Sequence, residues 1–573
     1  MSVTSSLTLS LVLLTGTLPL VGQQPSVLPS SWRHTGKAIV TTGRHAMVVS
    51  SSPIASQVGR DILEVGGNAV DAAAAVGFAL AVVHPVAGNI GGGGFMVMRM
   101  NNGRTYALDY RETAPAGASR DMYLDQNGDL TDKSRIGHLA SGVPGSVAGM
   151  LAAQARFGKL SRAAILEPAI RLAREGFILD AHRAGSLRSA ARQLARFDGS
   201  ARQFLVNGTT GPADGARLTQ PDLARTLEAI RDHGRDGFYR GWVADSLDAE
   251  MRRGGGVMTR EDLAAYQPQW REPIRINYRG YTIWSMPPAS SGGATLAMIL
   301  NILEPYGPLP AFGTPALLHL EAEAMRRAFT DRNRYMGDPA FEHVPLAWLV
   351  SKAHADTLRA DIDLAHATPT PPFDPRIVEG NNTTHYSIVD ADGNAVSTTT
   401  TINFGYGSYV TVRGAGFLLN NEMDDFAAAP GRPNGFGLVQ GEVNAIEPGK
   451  RMLSAMTPSI VLDTAGALKM VVGSPGGPTI ITQVFHVISN VIDHHMTLAD
   501  AVAAPRTHHQ ALPDQLRLEG PGGFSEPTLA ALRAMGHTLE VGGGWGDFQA
   551  IMRTGNRWTG VSDPRAGGGG SGY

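Results

Sequence analysis

The amino-acid sequence predicts a protein of mixed α-helices and β-strands, with a sheet core in its C-terminal third. Apolar residues recur at helical spacing between residues 53 and 83 and again between residues 141 and 271. After residue 383, short stretches rich in β-branched residues alternate with turn signals. Hydrophobic residues make up 43% of the 573 residues, which is enough for a sizeable core and excludes global disorder.

The individual elements follow from these patterns. Apolar periodicity predicts helices over residues 53–64, 68–83, 146–157, 162–174, 223–232, 243–251, 294–303, 315–329, 479–492 and 498–503. Alternation and β-branched residues predict strands over residues 95–100, 104–110, 383–389, 395–402, 417–419, 459–462 and 468–472. The turn signal Asp390–Asn394 predicts a hairpin, and the final GGGGSGY is predicted to be a loose tail.

Composition and missing motifs exclude several classes of function. The chain has 49 basic and 51 acidic residues, so charge gives no reason to expect a nucleic-acid partner. It has no cysteine, which excludes disulfides, thiolate metal sites and a cysteine nucleophile. The sequence also lacks the HExxH, GxSxG and GxxxxGK[ST] patterns and has no GxGxxG opening a helix. The sequence therefore disfavours the common classes of hydrolase, nucleoside triphosphatase and dinucleotide-binding protein.

The first residues resemble a secretory signal. Residues 7–21 are apolar and uncharged, but they are too short, and too interrupted by Gly16 and Pro19, to span a bilayer. A polar stretch follows from Gln23, so residues 1–22 are predicted to be a signal peptide, although no Lys or Arg precedes the apolar run. We therefore expect a periplasmic or secreted protein with no membrane span after signal removal. A frayed N-terminus is the alternative.

A threonine lies where a linker meets a strand. Residues 367–382 contain four prolines and end in Gly380, Asn381 and Asn382, which is typical of an exposed linker. Thr383 follows directly. If the preceding peptide bond is cut, the freed α-amine, with a pKa of about 7.7–8.0, can take the hydroxyl proton. One residue then supplies both nucleophile and base. From these residues alone, an ordinary strand start rich in β-branched residues remains the alternative.

The block TTHYSIVDADGNAV (383–396) resembles the start of the small subunit of γ-glutamyltransferases. These are N-terminal-nucleophile hydrolases that cut themselves into two chains. The resemblance covers essentially everything after about residue 38. Its other blocks, in family order, are GGNAVDAA (66–73), GGGGFM (91–96), DYRETAP (109–115), PPASSGG (287–293), TTINFGYG (400–407), LLNNEMDDF (418–426), PGKRMLSAMTPSI (448–460), GSPGG (473–477), APRTHHQ (504–510) and SDPR (562–565).

This resemblance implies a fold and an activity. The fold is α+β, an αββα sandwich of two stacked antiparallel sheets between helical layers. A single domain is cleaved between Asn382 and Thr383 into a large subunit (23–382) and a small subunit (383–573), which form a heterodimer. The implied enzyme transfers a γ-glutamyl group from glutathione or related compounds to water, amino acids or dipeptides through a threonine ester. It needs no cofactor and no metal.

The resemblance also assigns the catalytic residues. Thr383 is implied to be the nucleophile, and Thr401 the residue that hydrogen-bonds and orients it. Gly476 and Gly477 match the pair whose backbone N–H groups form the oxyanion hole. That task needs donors aimed at developing negative charge, and glycine permits the close approach.

Substrate binding is implied to divide between two charged ends. Arg111 and Ser454 match the residues that bind the glutamyl α-carboxylate, and a guanidinium suits bidentate binding. Asn403, Glu422 and Asp425 match the residues that bind the α-ammonium. Because Glu422 and Asp425 are three residues apart, they are expected to face one side of a turn.

Two departures from the family pattern bear on the substrate. Ala455 stands where the family usually has a second serine, so one donor to the carboxylate is missing. In the lid segment 431–442, Phe436 replaces the usual tyrosine. The rival interpretations are a glutaryl-type acylase of the same superfamily, which would share Thr383 but lack the ammonium-binding acceptors, and an uncleaved, inactive binding paralogue.

Overall fold

Two stacked sheets form the centre of the structure, a computed structural model that describes residues 26–370 and 383–573. The predicted signal segment 1–22 and the cleavage residue Asn382 lie outside the described residues. The strands are β1 (Ile39–Gly43), β2 (Met47–Ser50), β3 (Gly93–Arg99), β4 (Thr105–Asp109), β5 (Phe177–Ile178), β6 (Arg217–Leu218), β7 (Gln269–Arg271), β8 (Ile274–Tyr278), β9 (Tyr281–Ser285), β10 (Thr383–Val389), β11 (Ala395–Thr401), β12 (Ser459–Leu462), β13 (Leu468–Val472), β14 (Thr507–His508), β15 (Leu516–Glu519), β16 (Leu539–Gly542), β17 (Gln549–Thr554), β18 (Arg557–Ser562) and β19 (Gly569–Gly572).

Helices cover both outer faces of the sheets. They are α1 (Pro53–Glu64), α2 (Ala69–Val83), α3 (Ser146–Phe157), α4 (Arg162–Glu175), α5 (Ala181–Leu194), α6 (Asp198–Phe204), α7 (Pro221–His233), α8 (Asp236–Tyr239), α9 (Gly241–Gly254), α10 (Arg260–Ala265), α11 (Gly292–Leu303), α12 (Pro315–Tyr335), α13 (Leu346–Leu349), α14 (Lys352–Ala360), α15 (Thr479–Ile492), α16 (Leu498–Ala503) and α17 (Glu526–Ala534). No helix in the described ranges combines the length and apolar character that crossing a bilayer requires.

Each main sheet has seven antiparallel strands. One sheet has the order β1-β18-β17-β13-β12-β9-β8, and the other has the order β19-β2-β10-β11-β3-β4-β7. Apolar side chains from both sheets, such as Val97 and Val471, pack together between them. Helices α2 and α3 pack on the outer face of the second sheet, and α11 and α15 pack on that of the first. The predicted αββα sandwich is therefore confirmed.

Helix α2 shows how sequence sets one outer layer. The Asn68 side chain accepts hydrogen bonds from the backbone N–H groups of Val70 and Asp71, and Asp71 completes the capping box. All residues of α2 are buried. A helix that is apolar on every side is stable only between other layers, so α2 lies between the second sheet and the outer helices.

The hairpin β10–β11 carries the predicted nucleophile at the centre of the second sheet. The Asp390 carboxylate accepts hydrogen bonds from the N–H groups of Asp392 and Asn394 and from Ala69 N. This fixes the turn and therefore the register of the strands. As a result Thr383 lies directly opposite Thr401.

Two expectations about local structure were wrong. Residues 417–419 do not form a strand, because Leu418 makes only an isolated bridge with Thr411. The C-terminal residues are not a loose tail. Instead β19 pairs with β2, and Tyr573 O accepts a hydrogen bond from His45 N at 2.8 Å. Backbone pairing needs no side chain, and a Cβ at Gly570 would lie 3.1 Å from Thr41, so glycine suits this narrow position.

Candidate active site

The two threonines at the end of the hairpin meet at one wall of a cavity. Their Oγ1 atoms are 3.4 Å apart, which is longer than the usual 2.5–3.0 Å for a hydroxyl hydrogen bond. Thr401 Oγ1 also accepts a hydrogen bond from Asn403 N at 2.7 Å. Thr383 is 8% exposed, so its hydroxyl lies in a largely water-excluded place. The hairpin register alone brings the predicted nucleophile and its orienting residue together.

The cavity is lined by residues from both halves of the chain. Those predicted from the sequence that line it are Arg111, Thr383, Thr401, Asn403, Glu422, Asp425, Ser454 and Gly477. Gly476 precedes Gly477 in the loop between β13 and α15. The sequence prediction therefore converges on one place in the fold.

Gly476 and Gly477 present their backbone just before helix α15 begins. Gly476 has φ +138° and Gly477 has φ +55°, both in the region that favours glycine. A Cβ at position 477 would lie 2.6 Å from the Phe436 ring. Within the described residues, neither N–H donates a hydrogen bond. Two unpaired donors at a helix N-terminus can stabilise an oxyanion.

A charged cluster forms the opposite end of the cavity. Arg111 Nη1 lies 2.9 Å from Glu422 Oε1, and its Nη2 is paired with Asp425. Arg111 Nε donates to the carbonyl of Met452 at 3.2 Å. Burial alone would lower the pKa of Arg111, but Glu422 and Asp425 raise it above its usual value. The guanidinium therefore remains charged, and it is only 1% exposed.

The predicted binding groups for the two substrate ends thus bind each other. Glu422 and Asp425 lie in one 3-10 turn and face the same guanidinium, as their spacing predicts. Burial raises the pKa of both carboxyl groups. An α-amino acid can replace this contact without unpaired charge, because its carboxylate complements Arg111 while its ammonium complements the acids.

The segment 431–442 closes another side of the cavity. Phe436 and Leu438 line it, and Phe436 stacks on Phe404 with ring centroids 4.7 Å apart. Gly435 N donates to Asp424 Oδ2 at 2.9 Å, which ties the loop to the acidic turn. Phenylalanine at position 436 therefore shields the cavity by stacking alone, since it has no hydroxyl.

Ser454 is held by backbone contacts on the same wall. Its carbonyl accepts hydrogen bonds from Ser291 N at 2.8 Å and from Ser291 Oγ at 2.6 Å. Its own Oγ accepts one from Met456 N at 3.1 Å. Ala455 lines the cavity beside it without a donor. The arrangement leaves the Ser454 hydroxyl proton available to a substrate carboxylate.

Comparison with known proteins identifies the family of this site. The family model described as gamma-glutamyltranspeptidase matches residues 55–573. The chain belongs to the γ-glutamyltranspeptidase family. It is 46% identical over 530 residues to the glutathione hydrolase proenzyme of Escherichia coli (strain K12), covering 91% of each chain. The protein is therefore an enzyme.

Solved structures extend the family comparison to the fold. Cephalosporin acylase from Bacillus halodurans is 28% identical and aligns with a TM-score of 0.83, covering 95% of this chain and 99% of that chain. The γ-glutamyltranspeptidase of Helicobacter pylori is 44% identical, with a TM-score of 0.55, covering 56% of this chain and 92% of that chain. This chain thus shares its fold with a solved acylase and a solved γ-glutamyltranspeptidase.

Two buried side chains of this γ-glutamyltranspeptidase were not predicted to belong to the site. Arg332, on α12, lines the cavity. Glu112 lies beside the cluster, with its Oε2 atom 3.7 Å from Arg111 Nη1. Arg332 gave no signal in the sequence because it is one arginine among many on a helix. Glu112 directly follows Arg111, so its place next to a predicted binding residue was the available hint.

Glu112 predicts a pH dependence of stability. Both of its carboxyl oxygens are buried without a hydrogen-bond partner in the described chain, and burial raises its pKa to about 8. In the unfolded chain this carboxyl group has its ordinary pKa of about 4.3. Between about pH 4.3 and 8 the folded protein binds more protons, so its free energy of unfolding falls as pH rises. Glu112→Gln removes this contribution.

We therefore expect the melting temperature of Glu112→Gln, minus that of the wild type, to increase from pH 5 to pH 8. Calorimetry at several pH values measures this difference. Glu175→Gln, at an exposed position, is the matched control and should show a constant difference. Parallel curves for Glu112→Gln and the wild type would contradict the prediction.

One buried group elsewhere has a donor set that suits metals. His319, Glu323 and His537 place ligand atoms within 4.8 Å of one another. His319 Nδ1 already contacts His537 Nε2 at 2.8 Å, and His319 Nε2 contacts Asp363 O at 2.8 Å. Glu323 accepts from Thr368 N at 3.0 Å. These atoms therefore hold the chain that leads into the linker.

Proposed function

We propose that this protein is a self-cleaving γ-glutamyltransferase and glutathione hydrolase. One observation carries the proposal: a single cavity is lined by a threonine with its hydroxyl, by Gly477 of the predicted oxyanion hole and by a charge cluster complementary to an α-amino acid. Family membership and the Escherichia coli relative, a glutathione hydrolase proenzyme, support it.

Maturation begins with attack of the Thr383 hydroxyl on the carbonyl carbon of Asn382. The peptide C–N bond breaks, an ester forms on Oγ1, and the Thr383 nitrogen takes up a proton to become an amine. Water then hydrolyses the ester. The products are a large subunit ending at Asn382 and a small subunit beginning at Thr383, which remain together as a heterodimer.

The same hydroxyl then acts on substrate. The α-amine of Thr383 accepts the hydroxyl proton as Oγ1 attacks the γ-carbonyl carbon. The N–H groups of Gly476 and Gly477 stabilise the oxyanion, and Thr401 orients the nucleophile. The intermediate collapses by expelling the amine product, which takes the proton and leaves a γ-glutamyl ester. Water, an amino acid or a dipeptide then attacks this ester, which regenerates Thr383.

The charge cluster favours a γ-glutamyl donor over a glutaryl one. A glutaryl group has the carboxylate but lacks the ammonium. Its carboxylate would displace Glu422 or Asp425 from Arg111 and leave that acid buried without a partner, which is costly. The acylase is also the more distant comparison, because the Acylase ACY 1 proenzyme of Pseudomonas sp. (strain SE83) is 39% identical to this chain, against 46% for the hydrolase proenzyme. An inactive binding paralogue would have no need for every catalytic position retained here.

Two further features belong to the proposal. Residues 1–22 act as an export signal, so the mature enzyme is periplasmic or secreted. The segment 431–442 acts as a lid, and its Phe436 ring shields the acyl-enzyme from water. Stacking of Phe436 on Phe404 and the hydrogen bond from Gly435 N to Asp424 support the second point.

A comparison of three substrates tests the function. We expect the mature enzyme to hydrolyse γ-glutamyl anilide and glutathione, and to hydrolyse glutaryl anilide at least about 10-fold more slowly, since a hydrogen bond to a charged group contributes about 1.5–3 kcal/mol. The two anilides differ only in the α-ammonium, so their ratio isolates Glu422, Asp425 and Asn403. Addition of glycylglycine should increase release of the aniline product. Preference for glutaryl anilide would instead identify an acylase.

A further inference from the structure

A second guanidinium is buried in the cavity wall. Arg332, on α12, is 0% exposed and lines the cavity together with Arg111. Its Nε donates to Ser291 Oγ at 2.9 Å, and its Nη1 donates to Asn333 Oδ1 at 2.8 Å. Both of these partners are neutral. Within the described residues, Arg332 forms no salt bridge with a carboxylate.

An unpaired buried cation is unusual because desolvation disfavours it. Burial lowers the pKa of Arg332 to about 10, and the nearby Asp425 charge opposes that shift. The guanidinium therefore remains protonated at neutral pH. Buried charges in proteins are normally paired, so an unpaired one that faces a substrate cavity indicates an anion supplied by the substrate.

Arg111 alone does not provide a free cation for an anionic group of the substrate. Both of its terminal nitrogens are paired with acids, Glu422 and Asp425, and its Nε is bonded to the carbonyl of Met452. A carboxylate can reach Arg111 only by displacing one of these acids. Among the residues that the structure describes, no carboxylate is bonded to Arg332, so a substrate carboxylate would displace none there.

Arg332 also lies on the wall that the carboxylate is expected to contact. Its Nε binds Ser291 Oγ, which in turn donates to the carbonyl of Ser454. Ser454 and Ala455 line the cavity beside it. At Ala455 the hydroxyl donor usual in the family is missing, so a neighbouring cation is in the right place to compensate.

We propose that Arg332 is a second anchor for the α-carboxylate of the γ-glutamyl substrate, acting beside Arg111 and Ser454. This inference rests on the proposed function. The competing role is purely structural: through Ser291, Arg332 would only hold the backbone of Ser454. The two roles make different predictions. If Arg332 binds the carboxylate, its loss affects a substrate with a carboxylate at the α-carbon more than one with a neutral group there.

The test therefore compares two proteins, each with a charged and a neutral substrate. Arg332→Gln and the wild type are assayed with γ-glutamyl anilide and with its α-carboxamide analogue, which has the same shape without the negative charge. We expect Arg332→Gln to lower kcat/KM for the acid about 10- to 100-fold, mostly through KM, since hydrogen bonds to charged groups have that effect. For the carboxamide we expect a change below about threefold. Arg332→Lys should retain part of the preference for the acid.

Arg334→Gln is the matched control, because Arg334 is exposed on the same helix. It should leave both rates unchanged. An equal loss on both substrates in Arg332→Gln would show a structural role and overturn the proposal. Inactivity of the wild type toward γ-glutamyl anilide would refute the proposed function itself, which is a distinguishable result.

If Arg332→Gln does not mature, a crystal structure of wild-type enzyme with glutamate decides the question. A glutamate α-carboxylate within hydrogen-bond distance of the Arg332 guanidinium would support the proposal. A carboxylate bound by Arg111 and Ser454, with Arg332 still bonded only to Ser291 and Asn333, would overturn it.

Discussion

Thr383→Ala is expected to remain one uncleaved chain with no measurable γ-glutamyl anilide hydrolysis. The substitution removes the hydroxyl that we propose attacks the Asn382 carbonyl, so no subunits and no free α-amine should form. Loss of an activated nucleophile typically costs many orders of magnitude in rate, since other groups contribute little without it. A denaturing gel should show two unequal bands for the wild type and one band for the variant.

Sequencing of the smaller wild-type band should begin at Thr383. Thr384→Val is the matched control, because the Thr384 hydroxyl donates to Ser51 Oγ at 2.8 Å on the other face of the strand. It should mature normally. Thr383→Ser keeps the hydroxyl and should mature at a reduced rate. Cleavage or turnover by Thr383→Ala would show that another residue is the nucleophile.

Arg111→Ala is expected to affect both substrate binding and stability. Removing the guanidinium leaves the buried Glu422 and the half-buried Asp425 without their partner, and breaking a buried ion pair in this way costs about 3–5 kcal/mol. It also removes the proposed bidentate site for the substrate carboxylate, so kcat/KM for γ-glutamyl anilide should fall more than about 100-fold. Thermal unfolding and steady-state kinetics measure the two effects separately.

Arg111→Lys should give an intermediate result, because it keeps the charge but not the bidentate geometry. Arg104→Ala, at an exposed position, is the control and should change neither quantity. Normal kinetics with lowered stability would restrict Arg111 to holding the acid pair. Normal stability would show that the two acids do not depend on it.

The sequence predicted local structure well where the signal was local. The hairpin was predicted to within one residue because a DADGN turn lies between two β-branched runs. The glycine-rich β19 was missed because its stability comes from pairing with β2, not from its own side chains. Similarly, the stretch over residues 417–419 has strand-like residues but no strand beside it to pair with along its length.

The family resemblance predicted the site residues, but not how they contact one another. Arg111 and Asp425 are 314 residues apart in the chain, so their pairing depends on the whole fold. Residue-by-residue matching assigned them to opposite ends of a substrate, and their mutual contact became visible only in three dimensions. Arg332 was missed for the same reason, since its burial and its lack of an acidic partner are properties of the folded state.

The order of strands in the two sheets has a consequence for the enzyme after the proposed cleavage before Thr383. In the second sheet, β10 and β11 lie between β2 and β3, and in the first, β12 and β18 are flanked by β9 and β1. Strands from before and after the cut therefore interleave in both sheets. The two proposed subunits should therefore not dissociate on dilution, because separating them would break the backbone hydrogen bonds between strands in both sheets. The cleaved protein should unfold as one cooperative unit.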